Sequence, residues 1–269
     1  MVTPKALEDQ LIVTGYGPPP QVEVRAEACP RWVRARLGTV TVADSKRVVT
    51  LFETRRLPVY YFPLADVRAD LLETSERTSS HPILGQRRYH HLRVGTRLVE
   101  DAAWSYPEPP PGAPRIGDHI ALYWDKMDAW FEEDDEVFVH PWDPYHRVDV
   151  LNSSRVVRVT VGGTVVAESR RPRLLFETSL PTRYYLPRAD VRMDLLEPSA
   201  TVTHCPYKGR TIHFNARIGE RVFPDIAWSY PYPIPECPRI EGLICFYDER
   251  VDGVEVDGVQ QERPRTPWS

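Results

Sequence analysis

The segment His204-Cys205-Pro206-Tyr207-Lys208-Gly209 sets a thiol and an ammonium three positions apart. Proline after the cysteine and glycine after the lysine make a tight turn that presents both groups in a defined direction, as candidate catalytic side chains. Glu177 ends the apolar run Leu174-Leu175-Phe176, where a carboxylate is costly unless it is paired or opens into a cleft. With a raised pKa it would serve as a general base or a ligand anchor. Trp228 and Tyr230, with Tyr184 and Tyr185, supply the rings of an aromatic pocket. The predicted site is therefore a groove with Glu177, Lys208 and Cys205 as catalytic residues and Tyr185, His204, Tyr207, Arg192, Trp228 and Tyr230 as ligand contacts. Each has a plainer reading. Cys205 is also a small hydrophobe, Lys208 a surface charge, Glu177 the partner of a fold arginine such as Arg192, and the rings core packing.

What positions these residues is a repeat. Residues 34–128 reappear as 158–252 at a constant offset of 124, with about 40 of the 95 aligned positions identical and no gap. Phe52-Glu53-Thr54 returns as Phe176-Glu177-Thr178, and Ala103-Trp104-Ser105-Tyr106-Pro107 as Ala227-Trp228-Ser229-Tyr230-Pro231. A residue kept in both copies serves the fold, and one present in a single copy is free for function. Opposite His204, Cys205 and Lys208 the first copy has Ser80, His81 and Leu84, which points to the second copy as the working one. The division predicted is an arm over 1–33, a first repeat over 34–131, an acidic and aromatic connector over 132–154, a second repeat over 155–262 and a tail over 263–269. Trp142 and Tyr145 with two prolines predict a pinned connector and an intramolecular pairing of the two repeats.

At 269 residues each copy can bury its own core without disulfides. Four cysteines without paired spacing, Cys29, Cys205, Cys237 and Cys245, read as free thiols of a reducing cytosol. Thirty-four basic against 38 acidic side chains, with no basic stripe, argue against a nucleic-acid surface. No apolar run is long enough for a membrane span, and the first 20 residues do not read as a signal peptide.

The elements are mostly β. Valines 156, 157, 159 and 161 lead into Gly162-Gly163 and back out through Val165 and Val166, which is hairpin chemistry. Strands are predicted at 174–176, 184–186, 211–218 and 243–247, a closing hairpin at 255–259, and a short helical turn at 189–196. Twenty-seven prolines exclude long helices.

Metal and cofactor sites are not expected. There is no Cys-x-x-Cys knuckle for zinc and no glycine-rich phosphate loop. Asp190 and Asp194 with Glu197 or Asp225 could hold magnesium, but Asp66, Asp70, Glu73 and Asp101 repeat the pattern, so capping and ion pairs lead. His140, Asp143 and His146 have ligand chemistry, yet without a helix nothing sets them on one face.

Taken together, Tyr184-Tyr185-Leu186-Pro187 with Asp190-Val191-Arg192, the Cys205–Gly209 turn, Ala227–Pro231 and Phe246-Tyr247 resemble the domain of unknown function 427 family, here as a tandem pair like its two-copy bacterial members. The resemblance implies a fold similar to the β-tent class, two antiparallel sheets meeting over a ligand-sized groove, and carries a nucleotidyltransferase label. Two readings follow: a small-molecule enzyme or binding protein using the second-copy groove, or a non-catalytic interaction module. A nucleotidyltransferase comes third.

Overall fold

The computed structural model describes residues 22–54 and 56–266, so the Pro18–Pro20 stretch of the arm and the last three residues of the tail lie outside it. The chain divides into two units, with the division at Asp143 and Pro144. Among the described residues every helix is a three-residue 3₁₀ turn, and the rest of the regular structure is strand. The helical turn expected at 189–196 is two such turns, Arg188–Asp190 and Met193–Leu195.

Each unit holds one large and one small antiparallel sheet. In the first, the large sheet runs Val24–Ala28, Val49–Glu53, Val59–Pro63, His119–Leu122, Arg97–Ser105, Gly85–Val94, Leu72–His81. Its small sheet runs Asp135–Val137, Ala129–Glu132, Val33–Leu37, Val40–Ser45. The second unit repeats the plan. Strands Val148–Asn152, Arg173–Glu177, Arg183–Leu186, Ile244–Phe246, Arg221–Pro233, Gly209–Ile218 and Leu196–Pro198 follow in order, with His204–Cys205 pairing Gly209–Ile218. The glycine hairpin forms as its residues dictate: Gly162 and Gly163 both take positive φ, 57° and 77°, between Val157–Val161 and Thr164–Ser169.

The core explains the Tyr-Tyr-Phe and Tyr-Tyr-Leu strings. Side chains alternate across a strand, so Tyr60 and Phe62 join Val33, Ala35 and Leu37 in the core cluster shared with the small sheet. Tyr61 points the other way, to a second cluster with Leu51, Leu84, Trp104 and Tyr106. In the second unit Leu186 and Tyr185 divide in the same manner.

Two boundaries move. The end of the predicted arm is a strand, Val24–Ala28, whose Val24 pairs with Glu53; 124 residues on, Val148–Asn152 in the predicted connector pairs Val148 with Glu177. The other half of that connector belongs to the first unit, where Asp135–Val137 edges the small sheet and the Trp142 N–H donates to Glu132 at 3.3 Å.

Candidate functional site

Glu177 closes strand Arg173–Glu177 with only 5% of its side chain exposed. Opposite it, the Lys208 N–H donates to the Cys205 carbonyl at 3.3 Å and closes the turn. Gly209 leaves that turn at φ +106°, with the Tyr232 carbonyl 3.2 Å from where a Cβ would sit, so only glycine fits. The turn aims the Lys208 ammonium at Glu177, and Nζ donates to both carboxylate oxygens. His146 adds a third contact, Nε2 lying 3.0 Å from Oε1, with its ring stacked on Tyr207 at 4.0 Å.

Burial alone would raise the Glu177 carboxyl; the Lys208 charge and the bonds from His146 and Lys208 outweigh it and hold the group at about 2. Burial pulls Lys208 down, while Cys205 and Glu177 beside it raise it above its ordinary value. Both groups are charged at neutral pH. The pair is a closed, buried ion pair, and its carboxylate is not poised as the general base expected from the sequence.

The structure brings Glu177 against the turn that carries Lys208 and Cys205, with Tyr185 and Tyr230 in the neighbouring cluster. Trp228 is part of that cluster, its Nε1 donating to the Tyr185 hydroxyl at 3.1 Å, as Trp104 does to Tyr61 at 2.9 Å. Tyr207 is buried and His204 exposed. Arg192 falls elsewhere. It pairs at 2.6 Å with Asp194, two residues along an exposed turn, while Glu177 is met by Lys208 and His146. Arg68 pairs likewise with Asp70.

The first repeat answers its buried carboxylate differently. Leu84 stands at the lysine position, and Glu53 meets Arg56 at 3.0 Å and His81 Nε2 at 3.4 Å. Arg56 aligns with Leu180, so the cation has moved from one turn to another facing the same carboxylate. His81 also holds its turn, Nδ1 accepting the N–H of Leu84 at 3.0 Å.

A cavity of about 70 Å³ opens in this first repeat, where the sequence pointed to the second. Tyr61, Trp104, Tyr106, Trp124 and Trp130 wall it, with Glu53, Arg56 and Arg87 among its polar groups and connector residues 139–141 along one side. At the aligned positions the second repeat has Arg183 for Val59, Asp248 for Trp124 and Glu249 for Asp125. There the Arg183 guanidinium donates to both oxygens of Glu249, at 2.9 and 2.6 Å, and Thr266 of the tail donates to Glu249 at 2.5 Å. Neither Arg87 nor the Arg183 pair was picked out from sequence. The signal was present, since Arg87 faces Thr211 and Val59 faces Arg183 across the repeat.

The carboxylates weighed for magnesium each hold a local partner: Asp190 with Ser169 and Arg171, Asp194 with Arg192, Glu197 with Arg217, Asp225 with Ser199 and Thr201. Among the described residues no group of three or more His, Cys, Asp or Glu side chains could hold a metal ion. No described helix is long and apolar enough to cross a membrane.

Among curated proteins none matches the chain. The family described as Domain of unknown function (DUF427), which carries a nucleotidyltransferase label, matches residues 25–133 and again 149–257. These ranges start within the two paired edge strands and differ by the same 124 residues as the repeat, and on that double match the chain belongs to the DUF427 family.

Proposed function

We propose that the chain is a small-molecule-binding protein and that its ligand seats in the cavity of the first repeat. The observation behind this reading is the cavity itself, about 70 Å³ of space between aromatic walls. Apolar walls around a few convergent polar groups are the usual makeup of a ligand site. A second reading puts the ligand at the Lys208 turn. The convergence of His146, Glu177 and Lys208 favours it, but those charges already answer one another and a ligand would have to displace one. The test is native mass spectrometry, with thermal melts against a panel of aromatic fragments, on wild type and on Val59→Phe, which fills the cavity. A retained molecule or a stabilising fragment in wild type, lost in Val59→Phe, supports the reading. Equal binding by both proteins, or none by wild type, refutes it.

A further inference from the structure

Arg87 projects from strand Gly85–Val94 into the wall of the cavity. Its Nε donates to the Tyr106 hydroxyl at 2.7 Å and its Nη1 to the Tyr89 hydroxyl at 3.3 Å. Among the described residues Nη2 has no hydrogen-bond partner, and no carboxylate lies within ion-pair distance of the guanidinium. Rings surround it, with the centroids of Tyr106 at 5.3 Å and Trp104 at 5.7 Å. The other charges of the cavity cancel, because Glu53 is met by Arg56 at 3.0 Å. Among the described residues that line the cavity, the charge of Arg87 is left over.

The second repeat shows how this fold otherwise treats such a charge. Among the described residues its buried cations Lys208 and Arg183 each bind a carboxylate, Glu177 and Glu249, and Thr211 stands where Arg87 would be. Phenols and ring faces answer a half-buried guanidinium less fully than an anion does.

From this we infer that the occupant of the cavity is a small carboxylate on a planar, unsaturated body, bound through Arg87; the inference rests on the cavity reading above and adds the charge and shape of the ligand. The Nη1–Nη2 edge offers the parallel pair of N–H groups that a carboxylate takes bidentately. Three indole rings, Trp104, Trp124 and Trp130, line the cavity and suit a planar body. A volume of 70 Å³ holds several waters, which limits that body to about one ring.

Isothermal titration of the full chain with benzoate, its neutral isostere benzamide and inorganic phosphate tests this. Wild type should bind benzoate about tenfold or more tighter than the other two. Arg87→Thr, the residue the second repeat carries at this place, should remove the preference for benzoate over benzamide. Arg87→Lys keeps the charge without the fork and should weaken benzoate by about tenfold; it decides the matter if the threonine variant does not fold. Benzamide binding as well as benzoate overturns the charge assignment and leaves the cavity reading standing. Phosphate outbinding benzoate overturns the planar body. Undiminished benzoate binding by Arg87→Lys overturns the fork, and no binding of any of the three overturns the planar carboxylate, while the cavity reading is decided separately by the fragment panel on wild type and Val59→Phe.

Discussion

Exchanging Lys208 for leucine, the residue at the matching place in the first repeat, measures how the buried carboxylate is balanced. Glu177 is held at about 2 against an ordinary 4.5. At 1.36 kcal/mol per unit that difference corresponds to about 3 kcal/mol. Lys208→Leu removes the largest favourable contribution and leaves a carboxylate 5% exposed with His146 alone. Breaking one side of a buried pair costs about 3–5 kcal/mol, so the variant should lose about 3 kcal/mol. The first repeat also supplies the remedy. Leu180→Arg puts a cation where Arg56 stands, on a turn closed by the same bond, the N–H of Leu180 or Arg56 donating to the Glu177 or Glu53 carbonyl at 3.1 or 3.0 Å. Alone, Leu180→Arg should change stability by about 0.5 kcal/mol or less; combined with Lys208→Leu it should recover about 1.5 kcal/mol or more. Hydrogen-exchange mass spectrometry on the full chain reads the second unit separately, through the amides of Arg173–Glu177 and Gly209–Ile218. Acid titration gives an independent check. Because the folded value of Glu177 lies below the unfolded one, its contribution is present above about pH 4.5 and is lost as pH falls toward 2, and Lys208→Leu should flatten that slope. Strict additivity of the two substitutions, or an unchanged acid slope, would refute the reasoning.

Burial, with the charge of Glu249, pushes the Asp248 carboxyl up to about 7 despite Arg183 at 3.9 Å. A folded value above the unfolded 3.8 means wild type loses stability as pH rises from about 4 through 7; Asp248→Asn escapes this and should gain about 2–4 kcal/mol on wild type between pH 4 and pH 8. Melts at the two pH values check it, and a constant offset sinks it. Of the four free cysteines, Cys29, Cys237 and Cys245 are buried and Cys205 is half-buried. Iodoacetamide on the native chain should therefore label Cys205 first by peptide mapping, and prior labelling of a buried thiol contradicts the placement.

The repeat was legible because identity between the copies concentrates on residues that both cores need, such as Tyr60, Tyr61, Trp104 and Tyr106. The glycine hairpin was legible because few residues other than glycine accept two successive positive φ values. The first strand of each unit escaped notice, since an edge strand with one solvated side imposes little on its residues; Val24–Ala28 and Val148–Asn152 share only the leading valine. Arg221–Pro233 carries Pro224, Pro231 and Pro233, residues that ordinarily interrupt a strand. A bulge, marked by Asp225 at φ 47° and a register shift opposite it, lets one strand continue past Pro224. At the site, Glu177 and Lys208 could be singled out by residue type and by divergence between the copies. The cavity could not be found in that way. Cys205 and Lys208 mark a gain of chemistry in the second copy, whereas Arg87 and Val59 differ from Thr211 and Arg183 in the opposite sense, and only the fold tells which side of each exchange leaves space.

The first strand of each unit has a practical meaning for anyone dividing this chain. Val148–Asn152 covers the outer edge of Arg173–Glu177, and His146 just before it reaches the Glu177 carboxylate. A second repeat severed at residue 155, where the sequence pattern begins, would carry an uncovered row of N–H and C=O groups beside Leu174, Leu175 and Phe176. Such an edge recruits strands from neighbouring molecules, and the fragment would be prone to assemble edge to edge. Severed between Asp143 and Pro144, the same repeat keeps its own edge cover and the histidine that contacts its carboxylate.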